Sequence, residues 1–168
     1  KTAIYNDLID RGAAGLRPGI EDLIRQAKTE GVRLAIATTT SLPNVESLIR
    51  ATLGRGALAD FEVISAGDMV KAKKPAPDVY LLALQRLGLP PEACLALEDS
   101  VNGLQSARSA QLPVVVTRSI YTDHQHFPEA LAVVSDLRAL IESDADTRIP
   151  GRAILERLRA LRAGISTT

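Results

Sequence analysis

The sequence contains very little cysteine and few aromatic residues. Its 168 residues include one Cys, no Trp, three Tyr and two Phe. A single cysteine excludes an internal disulfide and a cysteine metal cluster, so we expect Cys94 to lie in the core as a small hydrophobic residue. Because 46% of the residues are nevertheless hydrophobic, the sequence predicts an aliphatic core of the kind that is typical of α/β proteins.

The sequence also lacks a charge excess and a long apolar run. Lys and Arg together number 20, and so do Asp and Glu, which gives a net charge of zero. A nucleic-acid-binding surface needs a basic excess or a basic face, so we expect no nucleic-acid partner. No run approaches the ~20 apolar residues that span a bilayer, and no signal peptide is visible. These absences predict a soluble, cytoplasmic protein without membrane contact.

Short apolar runs alternate with amphipathic segments along most of the chain. The runs that suit buried strands are 32–37, 61–65, 94–97, 112–117 and 132–134. Apolar residues at helical spacing separate them, in segments 20–30, 43–53, 78–87, 103–110 and 137–141. This alternation predicts one α/β domain with a doubly wound, Rossmann-like parallel sheet.

Two adjacent carboxylates, Glu98 and Asp99, directly follow the apolar run 94–97. Ligands of open α/β sheets bind beyond the carboxyl ends of the strands. Since an unpaired buried carboxylate is very costly, both side chains cannot belong to the core. A Mg²⁺ ion, held by one or two carboxylates, water and a substrate phosphate, would resolve this conflict. The alternative is a helix N-cap, because Asp99 and Ser100 are both good capping residues.

Two further polar features are predicted to lie at the same edge of the sheet. Thr38, Thr39, Thr40 and Ser41 follow the strand 32–37 and offer hydroxyl and N–H groups at a strand-to-helix turn, where phosphate binds well. Lys74 precedes Pro75, which favours an extended conformation for Lys74 and fixes the direction of its ammonium group. A capping run and a solvated lysine are the alternatives, and the latter is the better interpretation for Lys71.

Other chemistries find little support. The sequence has no GxGxxG and no GxxxxGK[ST] motif, which disfavours dinucleotide-binding and Walker-type sites. His124 and His126 lie in a polar loop without a third metal ligand nearby, so we expect surface residues that at most approach a substrate. Together, Thr38–Thr40, Lys74 and a metal on Glu98 and Asp99 would supply the electrostatics of phosphoryl transfer, but no nucleophile is evident.

The order of these motifs resembles the haloacid dehalogenase-like hydrolases. The resemblance rests on LRPGI, LAIATTTSLPNV, KKPAPDVY, LALEDSVNGL and VVVTRSIYT, and it covers about residues 1–141. Within this superfamily the motifs look like the β-phosphoglucomutase-like subgroup, and most of all like its CbbY-type phosphatases. The resemblance implies a Rossmann-like core, Mg²⁺ as cofactor and a small phosphorylated sugar as substrate. For CbbY-type members that sugar is xylulose 1,5-bisphosphate, an inhibitor of Rubisco.

The resemblance also implies roles for individual residues. Thr38 would bind the transferring phosphoryl group with its hydroxyl, Thr39 and Thr40 would complete the phosphate pocket, and Lys74 would neutralise both the phosphoryl group and the nucleophile. At the end of the strand 94–97, Glu98 and Asp99 would be the metal ligands, and Ser100 and Asn102 would support these ligands.

The implied domain organisation has three parts. Residues 1–14 resemble the end of an α-helical cap domain, and 15–143 resemble the α/β core without its first strand. Residues 144–168 lie outside the resemblance and form a linker and an amphipathic, arginine-rich tail helix. We expect that helix to pack on the core or on another subunit, although a basic amphipathic helix can also bind membranes or acidic partners. The oligomeric state stays open, with a monomer expected for a chain of full length.

The family's D-x-D-x-T motif is absent from the sequence, which begins with Lys1. In the family the first Asp of this motif is the nucleophile, the second is the general acid and base, and their strand lies between those that end at Thr38 and Asp99. We therefore expect an incomplete N-terminus, a gap in the sheet with unpaired backbone groups, and no turnover by this chain alone. We also expect poor folding, unless the missing strand is supplied or the sheet rearranges.

Three other classes of protein are alternatives to a phosphatase. A phosphomutase of the same family would need cap residues that the sequence lacks. A non-catalytic module that binds phosphate or Mg²⁺ stays open, since only the upstream D-x-D-x-T motif would discriminate it. A response-regulator-like domain also combines acids with Thr and Lys, but its acids precede them in the chain, whereas Glu98 and Asp99 follow Thr38 and Lys74.

Overall fold

The computed structural model describes residues 15–142 and 150–164. Its helices are α1 (Ile20–Thr29), α2 (Leu42–Leu53), α3 (Asp78–Leu87), α4 (Val101–Ser109), α5 (Ala139–Glu142) and α6 (Pro150–Ala163). Its strands are β1 (Ala35–Ala37), β2 (Val63–Ser65), β3 (Ala96–Glu98), β4 (Val114–Thr117) and β5 (Ala132–Val134). Short 3-10 helices cover Ala57–Asp60 and Pro91–Ala93. The cap remnant predicted for residues 1–14 lies outside the described residues.

The strands form two separate parallel sheets. β1 pairs with β2, with Ala35 opposite Val63, and β3, β4 and β5 pair in that order. In the described part of the chain no ladder joins β1 to β3. The parallel α/β class is confirmed, and the gap lies between the two strands where the resemblance led us to expect it.

Helices cover both faces of the three-stranded sheet. On one face, α3 and α4 pack Tyr80 and Leu104 against Val114 and Val116 of β4. On the other face, helices α1, α5 and α6 surround Val115 with a second apolar cluster, formed mainly by Leu23, Leu137, Leu140, Ile154, Leu155 and Leu158. Three consecutive valines can all be buried because β4 is paired at both edges and covered on both sides.

The first strand is shorter than its apolar run predicts. The run 32–37 suggested six strand residues, but only Ala35–Ala37 pair with a neighbour. Hydrophobicity indicates burial and does not indicate whether a partner strand is present. Ala35 is exposed although it lies in the middle of the run, because β1 has a hydrogen-bonded neighbour at only one edge among residues 15–142 and 150–164.

A cleft of about 640 Å³ separates β1 from β3. Leu34 O accepts from Glu62 N, and Thr38 N donates to Ser65 O. Because the backbone groups of successive strand residues point to opposite edges, the N–H and C=O groups of Ala35 point towards the cleft. Ala96 N donates to Pro113 O, which in the same way turns the backbone groups of Leu97 in β3, and of Leu95 just before it, towards the cleft. Two unpaired strand edges therefore face each other.

The entry of the chain into the core is fixed by Arg17, in the LRPGI motif. Its Nη1 atom donates to Thr117 O at 3.0 Å, and its Nη2 atom donates to Arg118 O and to Ser135 O. These carbonyl groups belong to the ends of β4 and β5. The arginine therefore joins residues 15–19 to the carboxyl edge of the larger sheet.

The tail helix α6 packs on the core of its own chain. Its apolar residues are buried against α1, and Gln26 Oε1 accepts from the Leu155 N–H at 3.1 Å. Arg159 pairs with Glu30, and Arg162 donates to Glu92 O at 3.0 Å. None of the described helices is both long enough and apolar enough to cross a membrane.

Candidate active site at the carboxyl edge

Thr38 directly follows β1, and its hydroxyl lies inside the turn that leads to α2. The hydroxyl accepts from Thr40 N at 3.2 Å, while Thr38 N donates to Ser65 O at 3.0 Å. Because a hydroxyl can accept and donate at once, Thr38 Oγ1 still has a proton to donate. Thr39 is exposed, and Thr40 Oγ1 accepts from Asn44.

The loop after β2 closes against this turn. Gly67 N donates to Thr40 O at 2.7 Å, and a Cβ at Gly67 would lie 2.1 Å from Thr39 O, so no other residue fits. The Asp68 carboxylate accepts from Leu42 N at 3.2 and 3.3 Å and thereby caps α2. The expectation that this turn offers free N–H groups is partly wrong, because Thr40 N and Leu42 N are already bonded.

Lys74 bridges the two sides of the cleft. Its Nζ atom donates to Ala37 O of β1 at 3.0 Å and to Glu98 Oε1 of β3 at 2.5 Å. The Lys74 side chain is 12% exposed and that of Glu98 is 6% exposed, so water screens this ion pair little. The solvated alternative for Lys74 is therefore wrong, whereas Lys71 and Lys73 are exposed.

Glu98 ends β3 and turns its carboxylate towards α3 and α4. Oε1 accepts from Lys74 and from the Tyr80 hydroxyl. Oε2 lies over Gly103, where a Cβ would be only 1.9 Å away. The hydrogen bonds described for residues 15–142 and 150–164 include none to Oε2, which leaves this oxygen available.

Asp99 is exposed beside the buried Glu98, so the prediction that these two acids cannot both belong to the core holds. Ser100 directly precedes α4, and its hydroxyl accepts from Gly103 N at 3.2 Å. Ser100 thus acts as the helix cap, whereas Asp99 does not. Asn102 is exposed on the first turn of α4.

The comparison with known families identifies the chain's relatives. The profile of the haloacid dehalogenase-like hydrolases matches residues 3–111, which is more than half of the chain. The chain belongs to this family. The matched segment contains all the residues that we predicted to bind phosphate and metal.

Within this hydrolase family, the chain is similar to CbbY proteins. Protein CbbY of Rhodobacter capsulatus is 57% identical over 139 residues, which cover 83% of this chain and 61% of that protein. The crystal structure of CbbY from Rhodobacter sphaeroides in complex with phosphate gives a TM-score of 0.77 at 52% identity, covering 80% of this chain and 60% of the other. This hydrolase chain therefore spans about three fifths of the length of these relatives.

Two further structures of the family are informative. An Asp-to-Asn variant of the same R. sphaeroides protein has been solved in complex with xylulose 1,5-bisphosphate. A β-phosphoglucomutase of Clostridium difficile gives a TM-score of 0.70 at 17% identity, which shows the shared fold alone. The assignment to the family, with CbbY and β-phosphoglucomutase-like neighbours, is confirmed.

The donor set of this chain fits Mg²⁺. Glu98 and Asp99 offer hard carboxylate oxygens, one of which, Glu98 Oε2, lacks a described hydrogen bond. No group of three or more His, Cys, Asp or Glu side chains that could hold a metal occurs among the described residues. A two-carboxylate site is sufficient where a substrate phosphate supplies further oxygens.

Three site residues escaped the sequence analysis. Tyr80 lies in the amphipathic segment 78–87, but its hydrogen bond to Glu98 was not predicted, and neither was the Asp68 cap or the space above Gly103. The KKPAPDVY motif contains Tyr80 and was the one available signal. His124 and His126 are both exposed, as predicted.

Proposed function

We propose that this chain is part of a Mg²⁺-dependent phosphatase of small phosphorylated sugars. The observation that carries this proposal is the position of Lys74, whose ammonium group bonds to Ala37 O beside Thr38 and to Glu98 beside Asp99. A cation, a hydroxyl donor and two carboxylates thereby meet at one edge of the sheet. These are the groups that phosphoryl transfer requires.

In this proposal the residues on the two sides of the cleft bind different groups, namely the phosphoryl group and Mg²⁺. Thr38 donates its hydroxyl proton to an oxygen of the phosphoryl group, and Lys74 neutralises the negative charge that develops on that group. Glu98 and Asp99 would hold Mg²⁺, which supplies further positive charge next to the phosphate. Thr39 and Thr40 line the phosphate pocket, and Ser100 and Asn102 support the metal-binding residues from α4.

The nucleophile is proposed to come from outside the described residues. At this edge Glu98 is paired with Lys74 and Asp68 caps α2, so neither is free to attack phosphorus. The family resemblance implies an aspartate on a strand between β1 and β3. The cleft has two facing strand edges and an apolar lining, which a parallel strand could pair with and fill.

The proposed substrate class is a pentulose bisphosphate. The R. sphaeroides CbbY protein, 52% identical to this chain, binds xylulose 1,5-bisphosphate in its crystal structure. The proposed site residues would contact a phosphoryl group and would not select the sugar, so the choice of sugar rests on this likeness alone.

Release of inorganic phosphate from xylulose 1,5-bisphosphate with Mg²⁺ tests the proposal. Two proteins are compared: the 168-residue chain, and a hybrid in which the preceding segment of the R. capsulatus relative is joined to its N-terminus. We expect hydrolysis by the hybrid, none by the chain alone, and loss of hydrolysis when Lys74→Ala is introduced into the hybrid.

Three other results would decide against parts of the proposal. Turnover by the 168-residue chain would refute an external nucleophile. A hybrid that binds phosphate but does not hydrolyse the substrate would favour the alternative of a non-catalytic phosphate-binding module. A hybrid that moves the phosphate to another position of the sugar would favour a phosphomutase.

A further inference from the structure

Tyr80 makes two different contacts with the charged pair at the site. Its hydroxyl donates to Glu98 Oε1, the oxygen that also accepts from Lys74. Its ring lies beneath the lysine, with Lys74 Nζ 4.9 Å from the ring centroid. The residue is 7% exposed and is held by the apolar packing of α3 against β3 and β4.

The hydroxyl of Tyr80 is the donor in its hydrogen bond to Glu98 Oε1. A carboxylate accepts and cannot donate, so the proton in this bond belongs to Tyr80.

We propose that Tyr80 is a positioning residue that divides the two oxygens of Glu98 between different tasks. It holds Oε1 on the side of Lys74 and so keeps Oε2 directed away from the lysine and available for a divalent cation. This inference rests on the proposed function, because it assumes that Glu98 is a metal ligand. It concerns a residue that acts through the two side chains it contacts, Glu98 and Lys74.

The geometry explains why a hydrogen bond from Lys74 alone would not fix the orientation of the Glu98 carboxylate. With Lys74 alone, the Glu98 carboxylate could rotate so that both of its oxygens approach the ammonium group. The second donor fixes the carboxylate from another direction, because Tyr80 reaches Oε1 from α3 while the ammonium group lies above its ring. Gly103 leaves the space in which Oε2 lies, since a Cβ there would overlap it.

Binding of Mn²⁺, a paramagnetic substitute for Mg²⁺, tests the inference in the 168-residue chain. The dissociation constant is measured by water proton relaxation for the unmodified chain and for Tyr80→Phe, which removes only the hydroxyl and keeps the ring. We expect Mn²⁺ to bind at least about 10-fold more weakly to the variant, as is typical when a hydrogen bond to a metal-binding carboxylate is lost. Tyr121→Phe is the matched control, because Tyr121 is 80% exposed, and its dissociation constant should not change.

A second pair of variants separates positioning from general damage to the fold. In a Glu98→Gln background, Tyr80→Phe should cause no further weakening, since the carboxylate on which it acts is gone. Equal weakening in both backgrounds would overturn the inference, and so would an unchanged dissociation constant in Tyr80→Phe.

The failures of the two proposals are distinguishable. If Mn²⁺ binds and Glu98→Gln weakens binding while Tyr80→Phe has no effect, the metal site stands and the role of Tyr80 falls. If the unmodified chain binds no Mn²⁺, or if Glu98→Gln leaves binding intact, Glu98 is not a metal ligand. Both the metal part of the proposed function and the inference about Tyr80 are then refuted.

Discussion

The two sheets of this protein differ in how completely their strands are enclosed. Val114, Val115 and Val116 of β4 have no exposed surface, since that strand has a neighbour at each edge and helices on both faces. In β1, by contrast, Ala35 is exposed and the strand is paired with β2 alone. Equally apolar segments thus reach different degrees of burial, because a strand edge needs a partner as well as a hydrophobic sequence.

The candidate site also has one part on each of these unequally enclosed sheets. Thr38 lies at the end of a strand in the less enclosed sheet, whereas Glu98 and Asp99 lie at the edge of the better packed one. Lys74 is bonded to both sheets. The site therefore depends on a few polar contacts across the cleft, and substitutions should affect the two sheets unequally.

The largest effect on stability is expected for Lys74→Ala. Glu98 would lose its ion pair while it stays buried, which typically costs about 3–5 kcal/mol in the free energy of unfolding. Urea denaturation measures this change. Lys73→Ala is the matched control: the neighbouring lysine is exposed, and its loss should change stability by less than about 0.5 kcal/mol. Equal effects of the two substitutions would show that Lys74 does not join the sheets.

Truncation of matched valines compares the sheets directly. Val115→Ala in β4 should reduce the free energy of unfolding by about 2–3 kcal/mol, since the rigid surroundings cannot close the cavity. Val63→Ala in β2 removes the same atoms from a site that is 7% exposed and next to a strand with a free edge. Its cost should be nearer to the transfer term alone, about 1–2 kcal/mol. A larger loss at Val63 would contradict the difference in packing.

Substitution of glycine by alanine should lower the free energy of unfolding at Gly103, beside Glu98, but should not lower it at Gly56. In Gly103→Ala the new Cβ would meet Glu98 Oε2, so we expect a loss of about 1–2 kcal/mol from overpacking. Gly56→Ala meets no atom within 4 Å and keeps a negative φ of −80°, so it should be neutral or slightly stabilising. Thermal denaturation of both variants tests this, and a stabilised Gly103→Ala would mean that Glu98 lies elsewhere.

The smallest effect concerns pH and Cys94, which lies half-buried at the edge of the cleft. Burial raises the pKa of the Cys94 thiol above its ordinary value of 9.0. The unfolded chain therefore loses this proton first, so stability is unaffected below about pH 9 and falls as the pH rises towards the pKa in the folded state. Replacing Cys94 by Ala should remove this part of the alkaline decline. An unchanged decline would show that the thiol is as solvated as in the unfolded chain.

Much of the site could be predicted from the sequence because parallel strands present their carboxyl ends at one edge. Once 32–37 and 94–97 were predicted as parallel strands, Thr38 and Glu98 had to lie close together. The order of motifs then identified the family. The helices were also predictable, since α3 agrees with its predicted range 78–87.

The rest depends on contacts that periodicity does not encode. Tyr80 occupies a helix position that predicts burial, but its acceptor is 18 residues away in sequence. Asp68 caps a helix from a different loop, 26 residues from Leu42, whereas Ser41, the last residue of the predicted capping run, makes no capping hydrogen bond with its side chain. The shortness of β1 reflects the lack of a second neighbour, which is a property of the sheet and not of the segment.

The central claim is that phosphate and metal bind between the two sheets, on groups that Lys74 brings together. The most direct test is titration of the ¹⁵N-labelled chain with orthophosphate in the presence of Mg²⁺, followed by the amide signals in NMR spectra. We predict shifts on both sides of the cleft, at Thr38–Thr40 and at Asp99–Val101, and their loss in Lys74→Ala. Shifts confined to one side of the cleft, or shifts that persist in Lys74→Ala, would contradict the account.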